Sequence, residues 1–467
     1  MKSKIRYAVF FLAMCVLLCL LLISCNAKDS SKLRICFDIG LQNDMQLGGS
    51  FQQEAASGFA EAVAVQAGLQ GRELSEIEVE VIPSDPESAD EREATLQRLR
   101  TEIMTGGGPD VFIACTEGTH RERLDSSRLF PYLSKSIADG IFLPLDSYME
   151  QFQMVSQEEL IQPVLAGGRD SQGQQVIVPL CFSIPSLIWE QGEVDPSAFV
   201  GKTWQDVLSG QDSLLTEQLR WLWPTYTFSS ESMRKNDHDT GLSYIYADLL
   251  DQVNKEVGMT EEDLAGLLLD SLPALGQLLG QEPEALSWSM FFSRMLDNAM
   301  FPNPETIDLA VVPVRNQQGG ATAVVSMYCG VNANTQRPEE AAFVVEYLLS
   351  AEYQNTEGGG LFQINNGFAS PSKLINKNGF IDGDTKLAAA TLESWHAACG
   401  QVNQVYFPSP ADSVLNDMME AIQQEMLATL DGDVRKDEFL HGDISEERLR
   451  EIVHEYYGQI SRLLEES

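Results

Sequence analysis

Residues 106–115 of the chain have the sequence GGGPDVFIAC, and this stretch decides the fold prediction. The three glycines and Pro109 end a helix, because glycine tolerates the left-handed conformation of a helix C-cap and proline cannot continue a helix. The apolar run that follows, residues 110–115, is short and bounded by turn residues, so it predicts a buried β-strand. A helix that leads through a sharp stop into a buried strand is typical of a parallel α/β sheet.

The same alternation of helices and strands extends to both sides of this stretch. Upstream, the apolar spacing predicts strands at residues 33–39 and 77–82 and helices at residues 53–68 and 91–104. Downstream, it predicts strands at 176–180 and 309–314 and helices at 260–279, 338–349, 418–430 and 445–464. The pattern therefore predicts an α/β protein with largely parallel sheets that begins with a βαβαβ unit.

The first 25 residues have the features of a secretory signal. Residues 1–6 are basic, residues 7–23 are almost wholly apolar, and residues 22–25 have the sequence Leu-Ile-Ser-Cys. This ending resembles the bacterial lipobox, whose cysteine becomes the diacylated first residue of the mature protein. The alternative is an uncleaved membrane anchor. The expected parts are a signal peptide at residues 1–24, a lipid on Cys25 and a polar tether at residues 25–32.

The chain is strongly acidic. Its 69 Asp and Glu residues against 31 Lys and Arg residues give a formal net charge of −38 over 467 residues. Nucleic-acid affinity comes mainly from Lys and Arg residues that neutralise phosphates, and the sequence shows no basic stripe. The composition therefore argues against nucleic acid and anionic lipid as partners. It favours a soluble protein whose charge opposes self-association, so we expect a monomer.

The sequence lacks the motifs of metal, nucleotide and hydrolase sites. The five His residues show no HExxH spacing, and neither a GxSxG elbow nor a GxxxxGK[ST] phosphate loop occurs. Beyond Cys25 the mature chain has no CxxC pair, so we expect no thiol-redox motif, no thiolate zinc site and no cofactor. We expect the remaining thiols to be mostly small buried residues, and the spacing leaves one disulfide open. They are Cys36, Cys115, Cys181, Cys329 and Cys399.

Several segments, in order, resemble the extracellular solute-binding proteins of the maltose-binding type, family 1, that feed ABC importers. Residues 105–114 (TGGGPDVFIA) are similar to the family's G-x-G-P-D-[IV] segment, and residues 143–148 (LPLDSY) to its L-x-P-L-D-x-[YF] stretch. Further matches lie at residues 174–189, 203–208, 309–314, 330–354 and 366–371. Each match is weak by itself, and their order and spacing carry the resemblance.

The resemblance implies a two-lobe, periplasmic-binding-protein-like α/β fold of class II, with the ligand in a cleft between the lobes. Two crossovers, at residues 179–185 and 313–317, would act as hinge strands. Prolines in both crossovers fix φ, so bending can concentrate in a few neighbouring residues. The expected division places residues 33–182 and 314–357 in lobe one, and residues 183–313 and 358–467 in lobe two.

The resemblance and the strand order together predict where a solute binds. In open α/β sheets, ligands lie beyond the carboxyl ends of strands, so the loops that follow the strands supply polar contacts. The predicted polar contacts are Asp38, Gln42, Asn43, Thr116, Glu117 and Ser183. The candidates for stacking on a sugar ring are Tyr226, Phe292, Tyr328 and Tyr406, with Phe407 as the alternative to Tyr406.

Each of these candidates has an alternative interpretation. An aromatic residue at helical or strand spacing is more often part of the core, which we expect for Trp288, Phe291 and Trp395. A lone carboxylate such as Asp38 or Glu117 is more often a helix cap or a solvated group. Sequence spacing alone does not separate these interpretations.

The implied function is that of a lipid-anchored substrate-binding protein on the extracellular face of a bacterial cell membrane. It captures a small solute, with a carbohydrate favoured, and delivers it to the permease of an ABC importer without catalysis. Residues 284–292 (EALSWSMFF) lack the family's sugar-binding signature, which leaves smaller or more polar ligands open. The alternatives are a surface carbohydrate-active enzyme, which needs a carboxylate pair about 5 to 10 Å apart, and a ligand sensor partnered with a sensor kinase.

Overall fold

The computed structural model describes most of residues 31–190 and several separate segments of the rest of the chain. The described residues are 31–39, 49–84, 88–116, 128–184, 186–190, 201, 260–266, 268–269, 287–289, 306–307, 309–313, 315–316, 318–354, 386–411, 414–415, 417–418, 421–422, 425 and 444–466. Among them, no helix combines the length and the apolar character needed to cross a membrane.

Six described strands form a mixed sheet that contains the predicted βαβαβ unit. Strands β1 (Leu33–Asp38), β2 (Ile77–Val81) and β3 (Val111–Cys115) are parallel, in the order β2-β1-β3. Strand β9 (Ala321–Val331) is antiparallel to β3 and to β4 (Ile177–Ser183). Strand β11 (Val402–Tyr406) is parallel to β9. The α/β prediction is confirmed, with β9 and β11 running opposite to the other four strands.

Helices cover both faces of this sheet. Helix α1 (Gly49–Leu69) buries Phe59 against one face, and helix α2 (Ala89–Met104) buries Leu96 against the other. Both helices pack through the predicted apolar stripes, and a fully buried Leu or Phe side chain contributes about 1.5–3 kcal/mol. Further helices with both ends described are α3 (Leu133–Ala138), α4 (Asp146–Met149), α5 (Gln162–Leu165), α6 (Pro338–Leu349), α7 (Ala351–Gln354), α8 (Ala389–Cys399) and α9 (Glu446–Glu466).

The glycine-rich stop after α2 has the predicted conformation. Gly106 and Gly108 have φ of 83° and 100°, in the region that residues with a side chain rarely adopt. The amide of Gly106 donates to the carbonyl of Ile103, and the amide of Gly107 donates to the carbonyl of Glu102. These bonds satisfy carbonyls at the helix end and turn the chain into β3.

A smaller sheet contains β5 (Ser186–Glu190), which pairs antiparallel with both β6 (Ser287–Ser289) and β8 (Leu309–Pro313). A two-stranded pair consists of β7 (Thr306–Ile307) and β10 (Lys386–Leu387). The chain passes from β4 into β5 at residues 184–185 and returns from β8 into β9 across residues 314–320. Ser183 pairs with Val324 and Ser186 pairs with Pro313, so the strand ends that flank the two passages lie side by side. They fall at the positions where the sequence predicts hinge strands.

The position of β11 differs from the expected division of the chain. Residues 358–467 are expected in lobe two, yet Val402–Tyr406 hydrogen-bonds within the sheet of β1. The reason is the length of β9, which has 11 residues. Strand β3 pairs only with residues 327–331 of β9, so residues 321–324 offer their backbone groups to β11. An unpaired strand edge of this kind accepts a further strand.

No disulfide joins the five cysteines, and all five thiols are buried. Cys115 of β3 and Cys181 of β4 both pair with Met327, from opposite sides of β9. Two strands separated by a third are about 9–10 Å apart, whereas a disulfide needs Cα atoms within about 7 Å. The disulfide that the sequence leaves open is therefore not formed between these two residues. Burial raises the pKa of the Cys181 thiol.

Candidate functional site

The carboxyl ends of β1, β3 and β4 lie at one edge of the six-stranded sheet. Asp38 at the end of β1 pairs with Ala114 of β3. Strands β3 and β4 both run antiparallel to β9, so they end at the same edge. We call this region, formed by Asp38, Thr116, Ser183 and residues 324–326 of β9, the strand-end edge. Ligands of α/β sheets bind beyond such an edge, and β4 also begins one of the two passages there.

Thr116 and Ser183 lie on either side of β9 at this edge. The Thr116 hydroxyl donates to the carbonyl of Val325 at 2.8 Å, and the Thr116 amide donates to the carbonyl of Ser326 at 3.0 Å. Ser183 pairs with Val324 in the antiparallel register of β4 and β9. The structure thus places two predicted contact residues at the same edge, with the Thr116 hydroxyl already bonded to the backbone of β9.

Asp38 is buried in an ionic cluster, so it is neither a solvated carboxylate nor a helix cap. Its Oδ1 accepts a hydrogen bond from Arg92 Nη2 at 2.7 Å and lies 3.6 Å from Arg128 Nη1. Its Oδ2 accepts a hydrogen bond from the Leu129 amide at 2.7 Å. These short bonds from charged groups and from the backbone compensate the cost of burying the carboxylate. The sequence places Asp38 at the correct edge, but the side chain binds protein groups.

The cluster makes stability depend on pH. Burial alone raises the pKa of the Asp38 carboxyl, but the charges of Arg92 and Arg128 and the Leu129 amide outweigh it and hold the pKa below its ordinary value of 3.8. Between the folded and the unfolded pKa, the unfolded chain therefore binds the extra proton. The stabilisation is fully present above pH 3.8 and is lost as the pH falls through the folded pKa.

We therefore expect Asp38→Asn to reduce the loss of stability on acidification. One carboxyl contributes at most about 1.4 kcal/mol per pH unit to the slope of unfolding free energy against pH. Urea denaturation between neutral pH and pH 3 measures this slope in both proteins. An unchanged slope in the Asn variant would show that Asp38 has the same pKa in the folded and unfolded chains.

Arg92 is the residue of this cluster that sequence reasoning misses. It lies on α2, four residues before Leu96 and seven before Leu99, and therefore on the buried stripe of the helix. The helical period contains this signal, because an arginine on an apolar stripe must meet a buried acceptor. Its partner is 54 residues away in the chain, which the spacing does not reveal.

Ser326 is a second residue that sequence reasoning misses. Every residue of β9 is buried except Ser326, which is partly exposed at the strand-end edge. The signal is a single serine within the largely apolar run AVVSMYC, residues 323–329. A serine at this place adds a neutral hydrogen-bonding group beside Thr116.

The two described stacking candidates are largely buried. Tyr328 is 1% exposed, in the middle of β9, where Ala114 and Pro179 are its neighbours in the register. Tyr406 is 9% exposed at the end of β11, so it lies in the sheet of β1 and not in a second lobe. Phe407 is only partly buried and packs against the core. This burial favours the core interpretation of Tyr328 and Tyr406.

The other predicted site residues lie outside the described residues. These are Gln42, Asn43, Glu117, Tyr226, Phe292 and the lipidation site Cys25. Of the residues expected in the core, Trp395 is confirmed, with no exposed surface. Among the described residues, no group of three or more His, Cys, Asp or Glu side chains is arranged to hold a metal ion.

Asn316 organises the passage from β8 to β9. Its Nδ2 donates to Asn403 Oδ1 of β11 at 2.8 Å and to Thr322 Oγ1 of β9 at 3.1 Å. Its Oδ1 accepts hydrogen bonds from the amides of Gln318 and Gly320, both at 3.1 Å. A buried side chain with all these bonds fixes a turn, because each lost bond leaves an unpaired polar group. The six-stranded sheet therefore holds the start of β9 firmly at this passage.

No known family model matches the chain, and no curated protein sequence matches it. Among solved structures, the chain is similar to a periplasmic oligogalacturonide-binding protein from Yersinia enterocolitica. That match has 15% identity and a TM-score of 0.48, and it covers 93% of this chain and 99% of the other. An extracellular solute-binding protein of family 1 from Alicyclobacillus acidocaldarius matches with 14% identity and a TM-score of 0.45, covering 94% and 100%.

A third similar structure is a periplasmic solute-binding protein from Pectobacterium atrosepticum. It has 14% identity and a TM-score of 0.47, with 93% of this chain and 99% of the other covered. All three of these similar structures are described as extracellular or periplasmic solute-binding proteins.

Proposed function

We propose that the protein is an extracellular, lipid-anchored substrate-binding protein that captures a small solute, with a carbohydrate favoured, for an ABC importer. The observation that carries the proposal is the pair of side-by-side strand passages between the two sheets. Strands β4 and β5 lead out of the six-stranded sheet, and β8 and β9 lead back into it. Two adjacent crossings form a hinge, and closure of two α/β units about a hinge traps a ligand between them.

The sheet topology supports a modified division into two lobes. In the proposed arrangement, lobe one contains residues 33–183 and 314–357 together with β11, and lobe two contains residues 184–313 and the rest of 358–467. The strand-end edge of lobe one faces the cleft in this arrangement, since both passages leave the sheet there. A solute bound there in the closed state contacts both lobes, so binding selects closure.

The chemistry of the strand-end edge supports a neutral polar solute. Apart from the buried Asp38 carboxylate, which is paired with Arg92 and Arg128, the described groups there are backbone amides and carbonyls with the hydroxyls of Thr116 and Ser326, which suit hydrogen bonding to hydroxyl groups. Tyr328 and Tyr406 are buried, so they offer little ring surface for stacking. Among the described residues, these features favour hydrogen bonding over ring stacking as the means of recognising the solute.

The proposed location and partners follow from the N-terminal segment and the family resemblance. A signal peptide of residues 1–24 and a lipid on Cys25 would hold the protein at the outer face of the cell membrane. The permease of the importer would receive the solute, and no catalysis by this chain is proposed.

Thermal melting against a panel of monosaccharides, disaccharides, polyols, amino acids and oligopeptides tests the proposal. A ligand that binds only the folded state stabilises it by mass action, by about 2.7 kcal/mol at 100 times the dissociation constant. We expect a sugar to raise the melting temperature and to be recovered intact. Hydrolysis of the bound sugar would instead support the enzyme alternative, and stabilisation by amino acids or peptides alone would exclude the carbohydrate class.

Genomic context separates transport from sensing. Adjacent genes for a permease are expected under the proposal, whereas an adjacent histidine-kinase gene without a permease would favour the sensor alternative.

A further inference from the structure

The ionic cluster at the strand-end edge joins the ends of three strands. Asp38 is the last residue of β1, and its Oδ1 binds Arg92. Arg92 Nη1 also donates to the carbonyl of Pro83, two residues after the end of β2, at 2.9 Å. The Asp38 Oδ2 accepts from the amide of Leu129, in the segment that follows β3, at 2.7 Å. The Asp38 carboxylate therefore links the end of β1 to the chain after β2, through Arg92, and to the chain after β3, through the Leu129 amide.

A second arginine of α2 holds the same segment. Arg100 Nη2 donates to the carbonyl of Arg128 at 2.6 Å, and Arg100 Nε donates to the carbonyl of Leu129 at 3.3 Å. The side chains of Leu129 and Phe130 are buried in the core beneath. Residues 128–130 are thus fixed at their amide, at their carbonyls and through their side chains.

The choice of charged groups here is informative. Apolar packing is non-directional, and replacing a buried ion pair by well-packed apolar residues is often neutral or stabilising. Charge-assisted hydrogen bonds to a carboxylate and a guanidinium, in contrast, impose distances and angles. The cluster therefore adds geometric definition to the stability that Leu129 and Phe130 already supply.

We propose that Asp38 is a positioning residue of the solute site: through Arg92, Arg128 and the Leu129 amide it holds the strand ends in the arrangement that binds solute. The inference rests on the proposed function, because it assigns a role at the same edge. A site whose loops are fixed before binding loses less conformational entropy when the ligand arrives. Loss of the carboxylate should therefore weaken binding through the shape of the edge, without removing a group that touches the solute.

The chain offers a matched control in Glu346 of α6. This carboxylate is also buried, accepts hydrogen bonds from the amides of Gln153 and Met154 and lies 3.9 Å from Arg72. It packs with the core on the α1 face of the sheet, away from the segment of residues 128–130. Asp38→Asn and Glu346→Gln each remove one buried charge and keep the volume of the side chain.

Hydrogen exchange on the full-length protein provides the first measurement. We expect Asp38→Asn to speed exchange of the Leu129 amide and of peptides covering residues 128–133 at least tenfold. Glu346→Gln should leave these peptides unchanged and affect those covering residues 153–154. Equal exchange in wild-type and Asp38→Asn protein at residues 128–133, or the same increase in both variants, would overturn the proposal.

Calorimetric titration with maltose and with D-galactose provides the second measurement. We expect Asp38→Asn to weaken the binding of whichever sugar the wild type binds at least tenfold, and Glu346→Gln to change it less than twofold. Unchanged affinity beside faster exchange would overturn the positioning role and leave the proposed function intact. If the wild type bound none of the compounds of the melting panel, that result would count against the proposed function. The exchange measurement would then show only whether Asp38 holds residues 128–133 in place.

A second variant covers the case in which Asp38→Asn does not fold. Arg100→Gln removes both hydrogen bonds to the carbonyls of Arg128 and Leu129 from a side chain that is only partly buried. We expect faster exchange at residues 128–133 and weaker sugar binding here also, by smaller factors. A folded Arg100→Gln protein with wild-type exchange and affinity would contradict the proposal by this independent route.

Discussion

Replacing Trp395 with Ala is expected to lower the free energy of unfolding by about 3–5 kcal/mol. The Trp395 ring on α8 has no exposed surface and stacks on Phe182 of β4, with 6.0 Å between ring centroids and 21° between planes. Its cluster also contains Ile184 beside one passage and Val311 of β8 beside the other. Removing the ring leaves a cavity between elements that are too firmly held to collapse into it. Urea denaturation followed by circular dichroism measures the loss.

Two control substitutions define the meaning of that result. Trp395→Phe keeps an aromatic face against Phe182 and should lose less than half as much. Leu69→Ala changes a side chain that is 77% exposed, and it should shift the unfolding free energy by less than about 0.5 kcal/mol. A Trp395→Ala protein as stable as the Leu69→Ala protein would show that the ring does not lie in a packed core.

Gly168→Ala is expected to cost about 3 kcal/mol or more, at the upper end of the range for overpacking. A Cβ at this position would lie 2.0 Å from the carbonyl oxygen of Ile177 and 2.7 Å from Gln175 Nε2. The Ile177 oxygen belongs to the backbone of β4 and accepts a hydrogen bond from Gln175 Nε2 at 2.6 Å, so it has little freedom to move. The added methyl must therefore displace the start of β4. Thermal and urea denaturation measure the cost.

Gly58→Ala is the matched control and should act in the opposite direction. Gly58 lies on the exposed side of α1, and a Cβ there would meet no atom within 4 Å. Alanine in an exposed helix interior is more favourable than glycine by about 0.5–1 kcal/mol. Equal destabilisation by both substitutions would indicate a general intolerance of side chains and not a local clash.

The sequence predicts the local elements of lobe one well and their partners poorly. Strands β1 to β3 and helices α1, α2 and α6 follow from apolar periods that are complete within each segment, and the glycine stop after α2 follows from its turn chemistry. Strand β11 could not be placed in this way, because its place in the sheet depends on how far β9 extends beyond β3. That difference of a few residues is visible only when β3 and β9 are aligned in space.

In the candidate site too, the sequence predicts where a side chain lies but not which groups it contacts. The position of Asp38 after a strand correctly predicts the edge where it lies. Its role depends on Arg92, Arg128 and Leu129, which lie 54, 90 and 91 residues away. A local pattern does not show that these groups converge. Tyr328 shows the same dependence on distant residues. The sequence makes it a candidate for stacking on a sugar, but its neighbours on β3 and β4 bury the ring.

The central place of β9 also determines when the first lobe can complete its folding. Strands β3 and β4 precede residue 190, but each pairs with β9, which begins at residue 321. The contacts that close the sheet therefore span about 140 to 220 residues of chain, and such long loops slow folding because their entropy is lost before the contacts form. A shortened chain that ends before residue 321 leaves β3 and β4 without their shared neighbour. The folding unit is thus discontinuous, and an N-terminal fragment must reach residue 331 to contain all of β9.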